Sequence, residues 1–309
     1  MASILAHVRE GLGAAELAAL SRSALDRPLL HPAELLVAVP VDEALVIGAH
    51  QRASELPAGD PRLPLRRRGS GGAEARVGTG TLWLQLSLAQ SSALVACPPE
   101  RLLNRYVRPL LRAITRAGVM AHYFERDWVS GAKRPVASIA YAHDATSGRA
   151  CVEVIVAVAT PFTIRARATT MGKEPATLAE LGGNGDPRAL ARAVIAAYEE
   201  AYGAASGAAP VASALDGAAV LDEPAWSAVV AEAIGLVGAG RDGAGRLRVG
   251  GELMVSRDAL ARLEAGLAQE PMDAAALGAL VDATLGAPGV ALFGVRSLGS
   301  IRDVILRAQ

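Results

Sequence analysis

The stretch from Leu65 to Trp83 constrains this chain more than any other. It sets four arginines and five glycines around Ser70, then runs directly into the alternating Leu82-Trp83-Leu84-Gln85-Leu86. Glycines let main-chain N–H groups approach a ligand, and clustered N–H groups form an anion-binding concavity. Adjacent guanidinium forks suit phosphate or carboxylate. The local chemistry predicts an anion clamp leading into a strand; the alternative is a solvated basic turn.

At 309 residues the chain suits one large domain or two unequal ones. Hydrophobic residues make up 51% and aromatics only 4%, so the core must be built mainly from Ala, Leu and Val. Charges balance at 31 against 31, which gives no bias toward nucleic acid or anionic membrane. Arginine far outnumbers lysine, and with the Ala and Gly abundance this points to a GC-rich bacterial coding sequence. Lys133 and Lys173 are the only lysines, so a lysine-dependent step has just these two candidates. Cys97 and Cys151 imply no disulfide framework and fit a reducing cytosol, each read first as a buried small hydrophobe. No basic segment followed by an apolar core marks the N-terminus, and no apolar run reaches the roughly 18 residues of a membrane span. The expectation is a soluble, cytoplasmic protein with neither nucleic-acid nor membrane partners.

Residues 10–25 carry leucines at helical spacing, and apolar runs at 35–41 and 44–47 predict two strands separated by Asp42-Glu43. Residues 52–64 read as loop. A strand over 81–88 precedes a helix opened by Pro98-Pro99, with Pro109 as a kink and Gly118 as a stop. Strands follow at 136–141 and 151–158, then a helix over 189–202. Periodicity is lost from 203 to 223, as in a linker. Beyond it come a Gly-rich turn region at 237–251, a strand at 252–255, and helices near 257–268, 272–285 and 298–308. The pattern predicts an α+β fold in two parts.

These residues resemble the lipoate-protein ligase and biotin-protein ligase family. Its pattern Arg-Arg-x-Ser-Gly-Gly-Gly-Ala-Val is matched by Arg67, Arg68, Ser70, Gly71 and Gly72. The third glycine falls on Ala73, the following Ala-Val on Glu74-Ala75, and the histidine of typical lipoate ligases on Val77. Gly78-Thr79-Gly80-Thr81 restores the Gly-rich entry to the strand. Ala44 to Gln51 is similar to the apolar run ending Gly-Arg-x-Gln, with Ala49 in place of the arginine. Pro175 to Leu181 is similar to the segment before the last catalytic-domain helix, and Arg248 to Glu264 to the accessory C-terminal domain of lipoate ligases.

The resemblance implies a class II ligase-like catalytic domain over 1–203, with a mixed or antiparallel sheet packed with helices. It further implies a linker over 204–224 and a small α+β accessory domain over 225–309. It implies ATP-dependent activation of lipoate, or a related medium-chain acid, as an acyl-adenylate. The acyl group would then pass to a lysine of a lipoyl-carrier domain or an H-protein-like acceptor. ATP (with Mg²⁺) and lipoate would be the small molecules. Both steps build negative charge on phosphate and carbonyl oxygens, which fixed cations and N–H groups stabilise. Nucleotide and acyl binding would fall to Gln51, Arg67, Arg68, Ser70, Gly71, Gly72, Thr79, Gly80 and Asp127.

The family's lysine lies in a pattern like Asn-Asp-x-x-x-x-Gly-x-Lys-Ile-Ala-Gly, matched by Arg126 to Ala140 with Asp127 in place. Anchored on Val136-Ala137, the lysine's position is Pro135; anchored on Asp127 and Gly131, Lys133 falls within about a residue of it and is the candidate catalytic lysine. A one-residue slip on a strand reverses the face. Two other functions stay open. One is a non-catalytic relative that binds lipoate, an acyl-adenylate or a carrier protein. The other is an octanoyl-type acyltransferase, which needs a nucleophilic cysteine, with Cys151 on the alternating strand as its candidate. His50 and His143 lack partners at metal-ligand spacing, so no protein-bound metal is expected.

Overall fold

The computed structural model describes residues 3–56, 63–125, 127–161, 172–207, 223–233, 235–268 and 272–309. A seven-stranded sheet organises the larger part. Its strands are β1 (Ile4–Arg9), β2 (Ala33–Ala38), β6 (Thr81–Leu88), β7 (Ala121–Tyr123), β8 (Trp128–Gly131), β9 (Arg134–His143) and β10 (Ala150–Ala157), in the order β1-β2-β6-β10-β9-β8-β7. β1 and β2 run parallel and the remaining pairs antiparallel. Every residue of β6 and β10 is buried, because both faces of the sheet are covered.

Helices α2 (Leu102–Tyr106), α3 (Arg108–Arg116) and α4 (Pro187–Tyr202) cover one face, packing Tyr106, Leu110 and Tyr198 against Leu84, Val154 and Tyr141. The other face carries α1 (Ala14–Ser23) and a small sheet, β4 (Leu65–Arg67), β3 (Ala44–Ile47) and β5 (Ala75–Val77), in the order β4-β3-β5. Leu17, Val46 and Val77 meet Trp83 and Ile155 there. The single helix expected around Pro109 is two. The chain turns at Val107, and Pro109 sits in the first turn of α3, where its missing N–H costs nothing.

The C-terminal residues build a second core. β11 (Ala228–Glu232), β12 (Gly235–Arg241) and β13 (Leu247–Gly251) form an antiparallel sheet, followed by β14 (Met254–Val255), α5 (Arg257–Leu267), α6 (Ala274–Leu285), β15 (Leu292–Phe293) and α7 (Leu298–Ala308). Val237, Val249, Leu263, Val281 and Ile305 are central to that core. The expected Gly-rich turn region at 237–251 is instead the β12–β13 hairpin. Its glycines leave room for the Trp226 indole, since a Cβ at Gly238 or Gly250 would run into the ring. The strand expected over 252–255 is confined to Met254–Val255. β1 lay unrecognised next to the N-terminus; Ala205 donates its N–H to the Ile4 carbonyl at 2.9 Å, pinning the start of the expected linker to it. Residues 208–222 of that linker lie outside the described residues.

The two cores meet along β9. Met254 belongs to the first core, and Ser256 forms a parallel bridge with His143.

Candidate functional site

The Arg/Gly loop is anchored beneath by a buried carboxylate. Glu153, in the middle of β10, stands opposite Gln85 on β6 and Ala140 on β9 and faces the side of the sheet that carries α1. It accepts from Ser21 Oγ at 2.6 Å, from Trp83 Nε1 at 3.0 Å and from Ser70 Oγ. Ser21 Oγ accepts the Gly69 N–H at 2.7 Å, tying α1 to the start of the loop. Arg68 is buried as well; its Nε donates to Ser70 Oγ at 3.0 Å and its Nη2 to the Ala73 carbonyl at 2.7 Å. Burial draws this guanidinium down to about 10, while the Glu153 and Glu252 carboxylates oppose the shift. At neutral pH it is a charged group holding the loop shut. The Gln51 side chain splints the same loop, accepting from Gly48 N–H and donating to Glu74 Oε2, both at 2.8 Å.

Gly71 and Gly72 do not turn their N–H groups into a cavity, as the clamp expectation had it. Gly71 donates to the Tyr141 carbonyl at 2.8 Å and Gly72 to the Leu253 carbonyl at 3.1 Å. A Cβ at Gly71 would collide with that Leu253 carbonyl, so only glycine lets the C-terminal segment lie this close. The loop thereby lies on β9 where β8 ends. One step along the same strand, Ile139 donates its N–H to the Asp127 carbonyl at 2.7 Å. Asp127 and Gly71 therefore sit at successive places beside β9, although they are far apart in the chain. Asp127 also borders a cavity of about 320 Å³ with Tyr123, Met254 and Phe293.

Arg67 takes a separate course. Its Nη1 donates to the carbonyls of Ala49 (3.2 Å) and Gln51, and its Nη2 pairs with Glu223 at 3.0 Å. It lines a cavity of about 600 Å³ between the 49–52 segment and the C-terminal part, together with Gln51, His50, Trp226, Arg248 and Glu264. Of the expected binding residues, Arg67 and Gln51 are the two on this cavity. Arg52 closes one wall, its guanidinium 3.5 Å from the centre of the Trp226 ring and bonded to the Pro224 carbonyl at 2.7 Å. Burial, helped by the Arg67 charge, pushes the His50 imidazole down to about 4.

The remaining candidates lie elsewhere. Lys133 is not brought to the loop: it is exposed, in the two-residue turn between β8 and β9, with Ala132 and Lys133 at φ 47° and 65°. From there to Tyr141, where Gly71 docks, β9 runs roughly 25 Å. Pro135, the alternative position, is buried and accepts the Ala176 N–H at 2.8 Å. Thr79 is exposed on a different groove with Val41 and Arg188, and Gly80 packs against Thr160 at the start of β6. Both precede β6, whose first residue, Thr81, already lies roughly 13 Å along the strand from Gln85, the residue opposite Glu153. Cys151 is buried and its thiol is pushed well up, so it is not a ready thiolate. His143 is buried with Nδ1 2.7 Å from Ser256 Oγ, and burial lowers its pKa. Among the described residues no group of three or more His, Cys, Asp or Glu side chains is placed to hold a metal ion, and no helix is long and apolar enough to cross a membrane.

Sequence reasoning missed Glu153, Ser21 and Trp83, the set that fixes the loop. The available signal was an acid at Glu153 amid the apolar residues of β10, since a lone charge inside a fully buried strand needs partners.

No protein-family model matches the sequence, and no curated protein matches it. Among solved structures, the fold is similar to the bipartite lipoate-protein ligase of Thermoplasma acidophilum, reported with its E2 lipoyl domain, at TM-score 0.52 and 14% identity over 65% of this chain and 84% of that one. It is equally similar to a lipoate-protein ligase A bound with ATP, at TM-score 0.52 and 14% identity over 65% of this chain and 85% of that one. The chain carries the α+β fold of the lipoate-protein ligase catalytic domain.

Proposed function

We propose that this protein uses its ligase fold to activate a carboxylic acid, lipoate or a related medium-chain acid, with ATP. It then transfers the acyl group to the lysine of a carrier domain. The observation that carries this reading is the meeting of two remote motif segments beside β9: Gly71 bonds to Tyr141 and Asp127 to Ile139. Solved relatives in fold add support, one bound with ATP and another reported with a lipoyl domain. In the first step a carboxylate oxygen bonds to the α-phosphorus of ATP and pyrophosphate leaves. In the second the carrier amine bonds to the acyl carbon, releasing AMP and a proton. Magnesium would arrive with ATP. On this reading residues 1–203 are the catalytic domain, 204–224 the linker and 225–309 the accessory domain.

A second reading is a non-catalytic relative that binds the acid or the carrier. It is favoured by one specific feature: Arg68, Gly71 and Gly72 all donate to acceptors of the chain itself. ATP–pyrophosphate exchange with lipoate and with octanoate separates the two. Label exchange with either acid supports the ligase. Silence with both, accompanied by calorimetric binding of lipoate or of a lipoyl domain, supports the binding protein.

A further inference from the structure

We propose that Lys173, not Lys133, is the lysine that contacts the reacting carboxylate and α-phosphate; this rests on the ligase reading above. The argument is one of sheet face. Directly opposed residues on neighbouring strands share a face, as do residues two apart on one strand. Glu153 is opposite Ala140, Ala140 is two residues from Ser138, and Ser138 is opposite Trp128. Glu153 binds the Ser70 hydroxyl, so the loop serine and the Trp128 ring lie over the same face of the sheet. Lys173 places its ammonium over that ring, 5.8 Å from its centre.

The backbone holds it there. Arg134 donates to the carbonyls of Glu174 (3.1 Å) and Pro175 (2.6 Å), and Ala176 donates to Pro135 at 2.8 Å. The segment that begins at Lys173 is thus fastened to Pro135, the strand position at which the ligase pattern has its lysine and this chain has no charge. Gly72 packs over Ile139 and Ala140, so the loop and Lys173 flank neighbouring residues of β9. Lys133, on the hairpin turn, has no comparable approach. An ammonium above Trp128 is a compact cation on a flexible stem, over the sheet face that carries Ser70; on the ligase reading such a cation would stabilise the negative charge that adenylation concentrates on the phosphate and carboxylate oxygens. It neither gives nor takes a proton in that step. It holds both anions together while the carboxylate–phosphorus bond forms and the bond to pyrophosphate breaks.

The test is ATP–pyrophosphate exchange with lipoate and octanoate on the full chain, comparing wild type, Lys173→Ala, Lys173→Arg and Lys133→Ala. Calorimetric binding of a non-hydrolysable octanoyl-adenylate analogue runs in parallel, and circular dichroism checks the fold. Loss of one preorganised donor lowers exchange about 100- to 1,000-fold in Lys173→Ala. It also weakens the analogue at least tenfold, with partial recovery in Lys173→Arg and no change in Lys133→Ala. Active wild type with a folded Lys173→Ala of equal rate overturns the assignment and leaves the ligase reading standing. Wild type silent with both acids overturns the ligase reading and this inference with it.

Discussion

Ser70 joins two buried charges: it donates to Glu153 and accepts from Arg68 Nε at 3.0 Å. The hydroxyl converts what would be a separated cation and carboxylate into a continuous polar chain inside the protein. Breaking one end of such a chain strands the other charge. Glu153→Ala should therefore cost about 3–5 kcal/mol of unfolding free energy. Glu153→Gln, which keeps an acceptor for Ser21 or Trp83, should cost less, about 1–3 kcal/mol. Urea unfolding of the two variants measures both, and equal losses would show that charge alone matters there.

Gly71 is a packing requirement. Gly71→Ala places a methyl group against the Leu253 carbonyl and forces the loop and the 252–256 segment apart. The variant should lose about 2 kcal/mol or more, comparable to overpacking in a core, and lose protease resistance near 223–233. An unchanged proteolysis pattern would count against tight contact.

Stability should decline on mild acidification. His50 titrates at about 4 in the folded protein against 6.5 ordinarily, and His143 is shifted in the same direction. A folded pKa below the unfolded one means that the unfolded chain binds more protons between those values. The stabilisation is complete above about pH 6.5 and drains away as pH falls toward 4. Urea midpoints from pH 7.5 to 4.5 should show that slope, and His50→Gln should make it shallower while His143 keeps the remainder.

Trp226 couples the two parts of the chain. Trp226→Ala removes the ring stacked on Arg52 and the ring that fills the space above Gly238 and Gly250. A loss of about 2 kcal/mol is expected, the upper range for a desolvated cation–ring contact. Thermal unfolding should then resolve into two transitions rather than one.

The sequence disclosed those parts of the molecule whose signal is local. β6 and β10 announce themselves by alternation, and the Arg67–Gly72 loop by composition. Its use was not legible, because whether Gly71 donates to a ligand or to Tyr141 depends on what packs beside β9. Lys133 misled for a related reason. Its hairpin turn uses Ala132 and Lys133 at positive φ, where an Asn-Gly pair would be the recognisable signal. The 237–251 stretch failed because only Gly243 and Gly245 lie in its turn, while Gly238 and Gly250 sit in strands and leave room for the Trp226 ring. Glu153 was hidden by its surroundings, since its partners Ser21, Ser70 and Trp83 are remote in the chain and unremarkable singly.

The docking of Ser256 on His143 and of Leu253 on Gly72 has a consequence for solubility. Beyond the end of β8, β9 would present unpaired main-chain groups to solvent, the kind of sheet edge that recruits strands from other molecules. The Gly71 loop and the segment around β14 occupy it. A chain shortened before residue 225 would bare part of that edge, along with Met254's place in the first core. On this arrangement the C-terminal part shields a sheet edge, and its removal should promote self-association.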